Sequence, residues 1–149
     1  MEYRDMQNET TSRILQAIAA AGLHEQVRVL GMLPDVEFGS LIRAAAAVVQ
    51  PSLFEGWSTV IQDCKALGRP LICSDLPVHR EQAPDALEFF ECERADRLAD
   101  AIAAHWGRLQ AGPDLEAEDR ALSREREFAH FYGKSVLSLC SQAQRDLID

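Results

Sequence analysis

Residues 51–69 read Pro-Ser-Leu-Phe-Glu-Gly-Trp-Ser-Thr-Val-Ile-Gln-Asp-Cys-Lys-Ala-Leu-Gly-Arg, and the fold turns on how this stretch joins its neighbours. Just before it, Ala46 to Gln50 carry Val48 and Val49 and predict a short buried strand. Within it, Val60, Ile61, Cys64 and Leu67 recur at helical spacing, which predicts a helix starting near Trp57 and stopping at Gly68. Just after it, Pro70 to Cys73 predict a second short apolar strand. Strands that alternate with helices in this way build a parallel sheet, the helices serving as right-handed crossovers. Glu55 marks the junction of strand and helix, and Asp63 follows eight positions later, inside the helix.

The same alternation extends outward. Residues 9–22 place Ile14, Leu15, Ile18 and Ala21 on one helical face, with Gly22 as the stop. Residues 27–31, Val-Arg-Val-Leu-Gly, predict a short strand, and Pro34-Asp35 opens a helix with Asp35 as its N-cap. Phe38, Leu41, Ile42 and Ala45 are the apolar face of that helix. Ser74 to Glu81 are predicted as a loop and Ala86 to Phe90 as a strand. A helix follows from about Ala95 to Leu109, with Leu98, Ala99, Ile102, Trp106 and Leu109 on one side. Beyond a Gly-Pro-Asp linker, a long helical pattern runs from about Leu115 to Leu147, with Gly133 marking a bend. Its stripe of Phe128, Phe131, Tyr132, Val136, Leu139, Cys140 and Ala143 is predicted to be core, as are Trp57 and Trp106. The fold class is therefore α/β: a Rossmann-like parallel sheet with helices on both faces, followed by a long C-terminal helical segment. The expected division is a sheet domain over 1–112 and a helical segment over 113–149 packing on it.

Bulk composition narrows the function classes. With 149 residues and 47% hydrophobic content the chain can bury a core. A net charge of −9 argues against a nucleic-acid backbone as partner. No apolar run reaches the length of a membrane span, and Glu2, Arg4, Asp5 and Glu9 interrupt any signal-peptide core, so a cytoplasmic protein is expected. Cys64, Cys73, Cys92 and Cys140 form no Cys-x-x-Cys pair and have no histidine spaced to complete a zinc site. Free buried thiols and no metal are expected.

The chemistry follows from the helix start. Ligands of open parallel sheets bind beyond the carboxyl ends of the strands, where Glu55 lies. Gly56 permits a tight turn, and the helix after it offers unpaired N–H groups and a positive dipole end that suit a diphosphate. Ser58 and Thr59 add hydroxyls. Asp63 shares roughly the face of Thr59, about 6 Å further along the axis, within reach of a ribose whose phosphates sit at the helix tip. Glu55, on the other side of the phosphates, would face a transferred sugar.

These residues resemble the donor site of retaining glycosyltransferases of the two-domain GT-B fold, the family 4 or group 1 type, whose Glu-x7-Glu motif here reads Glu55-x7-Asp63. The similarity spans roughly residues 9–90: Ala47 to Gly56 match the family's Pro-Ser-x-x-Glu-Gly run, and Ala66 to Ser74 its Ala-x-Gly-x-Pro-x-x-x-Ser continuation. The resemblance implies transfer of a hexosyl group from a nucleotide diphosphate sugar to an acceptor hydroxyl with retention, without metal or other cofactor, in polysaccharide synthesis. It implies that Glu55 is the catalytic residue and contacts the donor sugar, and that backbone groups of Gly31, Met32 and Leu33 meet the base. Gly56, Trp57, Ser58 and Thr59 would line the diphosphate site and Asp63 would hold the ribose. His79 and Arg80, after the Pro70–Cys73 strand, are candidate phosphate or acceptor contacts.

The chain departs from the pattern in three places. Asp63 is one methylene shorter than the usual Glu, and Trp57-Ser58 stands where many members have an aromatic followed by Gly. Residues 1–13 lack the strand and Gly-rich loop that carry the family's phosphate-binding Arg and Lys. The expectation is thus the later part of a donor domain, truncated on its N-terminal side and inactive alone. Its missing partner would be an N-terminal acceptor domain, and the tail stripe could drive self-association. The alternative is a non-catalytic nucleotide-binding or interaction remnant of the same fold. A signalling receiver domain ranks low because its acidic cluster and late lysine are absent, and the Glu55 segment argues against a nucleotide-sugar epimerase.

Overall fold

The computed structural model describes residues 8–146. The chain divides into two compact units, Met1–Pro34 and Asp35–Asp149. In the first, α1 (Asn8–Ala20) ends as predicted beside Gly22, whose φ of +67° is the left-handed conformation glycine favours at a helix end. The predicted strand at 27–31 does not form. Val27 and Val29 have the right β-branched character, but no strand among the described residues pairs with them, and Val27, Val29 and Leu30 are exposed. Strand structure is made by a hydrogen-bonded neighbour, and local pattern does not supply one.

The second unit contains α2 (Asp35–Ala44), β1 (Val48–Gln50), α3 (Thr59–Ala66), β2 (Leu71–Ser74), α4 (Pro77–Gln82), β3 (Glu88–Phe90), α5 (Ala95–Trp106) and α6 (Leu115–Asp146). Its sheet is parallel throughout in the order β1-β2-β3, with Val48 opposite Leu71 and Ile72 opposite Glu88. β2 is buried at every position because helices cover both of its faces. Alternation along the strands sorts the side chains. Leu71 and Cys73 join Ile42 of α2, Ile61 and Cys64 of α3 and Ala83 in one cluster. Ile72 points the other way and meets Phe90 and Ala101 of α5. This is the doubly covered α/β sheet expected from the sequence.

Several local readings change. Asp35 is the first residue of α2 and not its cap, where it and Glu37 lie in the first turn against the positive dipole end. Residues 77–82, expected within a loop, form α4, with Pro77 at the first turn where its missing N–H is harmless. α6 runs unbroken through Gly133 for 32 residues. Its first turns are tied down: α6 packs on α3, Ala121 is buried, and Arg43 of α2 grips Glu118 through two hydrogen bonds of 2.7 and 3.0 Å. Gly68 makes that packing possible, because a Cβ there would stand 2.5 Å from the Ala117 carbonyl oxygen and its φ is +59°.

The predicted core stripe further along α6 is not core. Phe128, Phe131, Tyr132, Val136 and Leu139 are all exposed, with Phe128 and Tyr132 stacked only on each other at 6.3 Å. Trp57 and Trp106 are likewise more than half exposed, at 55% and 73%. Cys64 and Cys73 are buried free thiols, but Cys92 is partly exposed and Cys140 exposed.

Candidate functional site

The carboxyl ends of β1 and β2 bring five side chains together. Gln50 is the last residue of β1, and its amide Nε2 donates to Glu55 Oε1 at 2.9 Å and to Ser52 Oγ at 3.0 Å. His79, on α4, reaches the other carboxylate oxygen with Nε2 at 2.7 Å from Glu55 Oε2. Its Nδ1 lies 2.8 Å from the carbonyl oxygen of Ser74, the last residue of β2, and 3.3 Å from the Ser74 hydroxyl. The imidazole is fully buried at 0% exposure, whereas the Glu55 side chain remains 21% exposed. Burial alone pushes the Glu55 carboxyl upward. Hydrogen bonding with His79, Ser58 and Gln50, together with the attraction of His79, outweighs it and brings the net shift below the ordinary value.

Gln82, at the end of α4, fixes the turn between Glu55 and α3. Its Oε1 accepts the Ser58 N–H at 3.0 Å and its Nε2 donates to the Ser58 carbonyl at 3.0 Å, so one buried amide side chain pairs both halves of one peptide unit. Ser58 takes the extended N-cap conformation without a side-chain capping bond. Its Oγ is buried and has no hydrogen-bond partner of standard geometry, although it lies near enough to help lower Glu55. Among the described residues, the N–H groups of Thr59, Val60 and Ile61 donate to no protein acceptor, as expected of a first helical turn.

The other predicted residues are placed as follows. Gly56 and Trp57 are exposed in the turn, and Thr59 and Asp63 are exposed on the outer face of α3. Asp63 has no ion pair among the described residues. Arg80 is engaged elsewhere: it holds Asp75 through bonds of 2.5 and 2.8 Å and lies 4.6 Å over the Phe89 ring. The pairing keeps the Asp75 carboxyl below its ordinary value, chiefly through the hydrogen bond from Arg80. Gly31, Met32 and Leu33 belong to the Met1–Pro34 unit, where Gly31 takes φ +70° and Met32 is 98% exposed. Burial drives the Cys64 thiol up to about 12 and the Cys73 thiol to about 11, so neither is a nucleophile near neutral pH. Among the described residues no group of three metal-ligating side chains occurs.

A cavity of about 900 Å³ lies elsewhere, lined by residues that include Lys65, Leu71, Leu87, Ala121 and Phe128. It opens by the amino ends of β2 and β3, whereas ligands of open parallel sheets bind beyond the carboxyl ends. The geometry of the Glu55 turn therefore carries the chemical argument.

The family model for glycosyl transferases group 1 matches residues 7–105, more than half of the 149. The chain belongs to the group 1 glycosyltransferases. Sugar transfer is the chemistry of this family, which implies a nucleotide-sugar donor. No curated protein and no solved structure matches the chain. In this group 1 glycosyltransferase chain, sequence reading singled out Glu55 and placed His79 near it only as a loop residue. It missed Gln50, Ser74 and Gln82. A polar Gln closing an otherwise apolar strand was the available signal for Gln50, and Pro77 at a helix start was the signal for α4.

Proposed function

We propose that the turn from Glu55 to Asp63 binds the nucleotide diphosphate sugar of a retaining hexosyl transfer. The observation that carries this reading is the pairing of an ionised, doubly anchored carboxylate with a helix start whose amides and one buried hydroxyl are unpartnered. Free N–H groups at Thr59, Val60 and Ile61 and the α3 dipole suit the diphosphate. Glu55 then faces the sugar on one side, and Asp63, about one turn into α3, the ribose on the other. Amides aimed at a leaving diphosphate also stabilise the charge that develops on it during transfer.

We expect the chain alone to bind donor without transferring sugar. Of the basic side chains near the site in sequence, Arg80 is committed to Asp75, Arg69 to the Gly112 carbonyl at 2.7 Å, and Lys65 lines the cavity by the amino ends of β2 and β3, so neutralisation rests on helix amides. The test is a panel of uridine, guanosine and adenosine diphosphate sugars, assayed for binding and for transfer. Binding that Asp63→Ala and Glu55→Ala weaken supports the reading. No binding by the wild type overturns it, and measurable transfer overturns the expected inactivity. The second reading, a remnant with nucleotide affinity alone, is favoured if free nucleoside diphosphates bind as tightly as the sugar nucleotides.

A further inference from the structure

We propose that His79 is the positioning residue of Glu55, holding its carboxylate as an aimed hydrogen-bond acceptor for a hydroxyl of the transferred sugar. The inference rests on the donor-site reading above and names what makes that site select a sugar.

The proton count on the ring follows from its neighbours. Nδ1 lies 2.8 Å from the Ser74 carbonyl oxygen, which can only accept, so Nδ1 carries a proton. Nε2 lies 2.7 Å from Glu55 Oε2, and an ionised carboxylate also only accepts, so Nε2 carries one as well. The Ser74 hydroxyl does not reverse this assignment, because it donates to the Ser52 carbonyl at 2.5 Å. A ring donating on both sides bridges the end of β2 to the turn before α3. Gln50 holds the second oxygen at 2.9 Å. Each oxygen thus has one lone pair fixed from the protein side, while the side chain stays 21% exposed and can accept from outside.

One consequence follows for ligand choice. An acceptor-only group favours a hydroxyl and disfavours a second anion. Charged groups on the surrounding elements are Asp63 and Lys65 of α3, Asp75 after β2, and Arg80 and Glu81 of α4. Among the described residues none of these is within hydrogen-bond or ion-pair distance of the ring, and Asp75 and Arg80 bind each other.

The first test needs no ligand. Side-chain ¹⁵N NMR of the full chain near neutral pH is expected to show protons on both nitrogens of His79, and loss of that pattern in Glu55→Gln. A wild-type ring with one proton overturns the proposal whatever the chain binds. The second test compares each nucleotide sugar of the panel with its free nucleoside diphosphate. His79→Gln is expected to weaken the nucleotide sugar about tenfold or more and the free diphosphate less than about twofold, the loss of one charge-assisted hydrogen bond. Equal losses on both probes mean a merely structural role and overturn the proposal. If no nucleotide sugar binds the wild type, the donor reading fails and the sugar-facing role with it, while the NMR result still decides whether His79 and Glu55 pair as described.

Discussion

Glu55 and Asp63 are eight residues apart in one motif, yet they occupy opposite surroundings. Glu55 sits where two strands end, fixed at both oxygens by Gln50 and His79. Asp63 stands on the outer face of α3, exposed and without an ion pair among the described residues. The difference comes from the helix between them. α3 turns Ile61 and Cys64 into the core and seats the Ser58 peptide groups on Gln82, so its inner side is packed, whereas Thr59 and Asp63 on its outer side are solvated. A preorganised acid suits a contact that must be accurate, and a free one suits a contact that tolerates water.

The contrast is broken most severely from the inner face. Ile61→Ala empties a fully buried position and is expected to cost about 2–5 kcal/mol in chemical denaturation, taking the Glu55 turn with it. Next in size is Gln82→Leu, which leaves the N–H of Ser58 unpaired beneath α4 and its carbonyl with only the 3.4 Å bond from the Gln62 N–H. A loss of about 1–3 kcal/mol is expected, and a neutral result would mean that the turn is held by something other than this amide.

A smaller effect sharpens the electrostatic side. The Glu55 carboxyl is lowered in the folded chain, so its contribution to stability is present above its unfolded value and is lost as pH falls through the folded one. Wild type should therefore lose stability in the acid range below about 4.5 more steeply than Glu55→Gln. Parallel denaturation midpoints for the two proteins across that range would contradict the assigned hydrogen bonds. The smallest effect is expected at Asp63→Ala, within about 0.5 kcal/mol of wild type in the same measurement, because nothing in the fold leans on that side chain. A larger loss there would erase the distinction between the two acids.

Most of the sheet unit was legible in the sequence, and what was not has a common cause. Val48–Gln50, Leu71–Ser74 and Glu88–Phe90 announced themselves as short apolar runs, and α3 and α5 by period. Residues 27–31 carried the same strand pattern but lack a ladder neighbour among the described residues. The stripe from Phe128 to Leu139 was correctly seen as one apolar face and wrongly assigned to the core, since periodicity says which face is apolar and not what covers it. The site divided along the same line. Glu55 could be found from its place after a strand and before a helix. Its partner His79 is 24 residues away, as is the Ser58–Gln82 pair, and such contacts depend on how β2 and α4 are laid beside β1. Spacing along one segment carries no information about that placement.

The central claim is that the Glu55–Asp63 turn is the donor site. The most direct test is a crystal structure of the chain with a nucleotide sugar bound. The account predicts the diphosphate on the amides of Thr59, Val60 and Ile61, a sugar hydroxyl in hydrogen-bond contact with Glu55, and the ribose beside Asp63. A nucleotide seated instead in the 900 Å³ cavity lined by Leu71, Leu87 and Phe128, with Glu55 untouched, would contradict it.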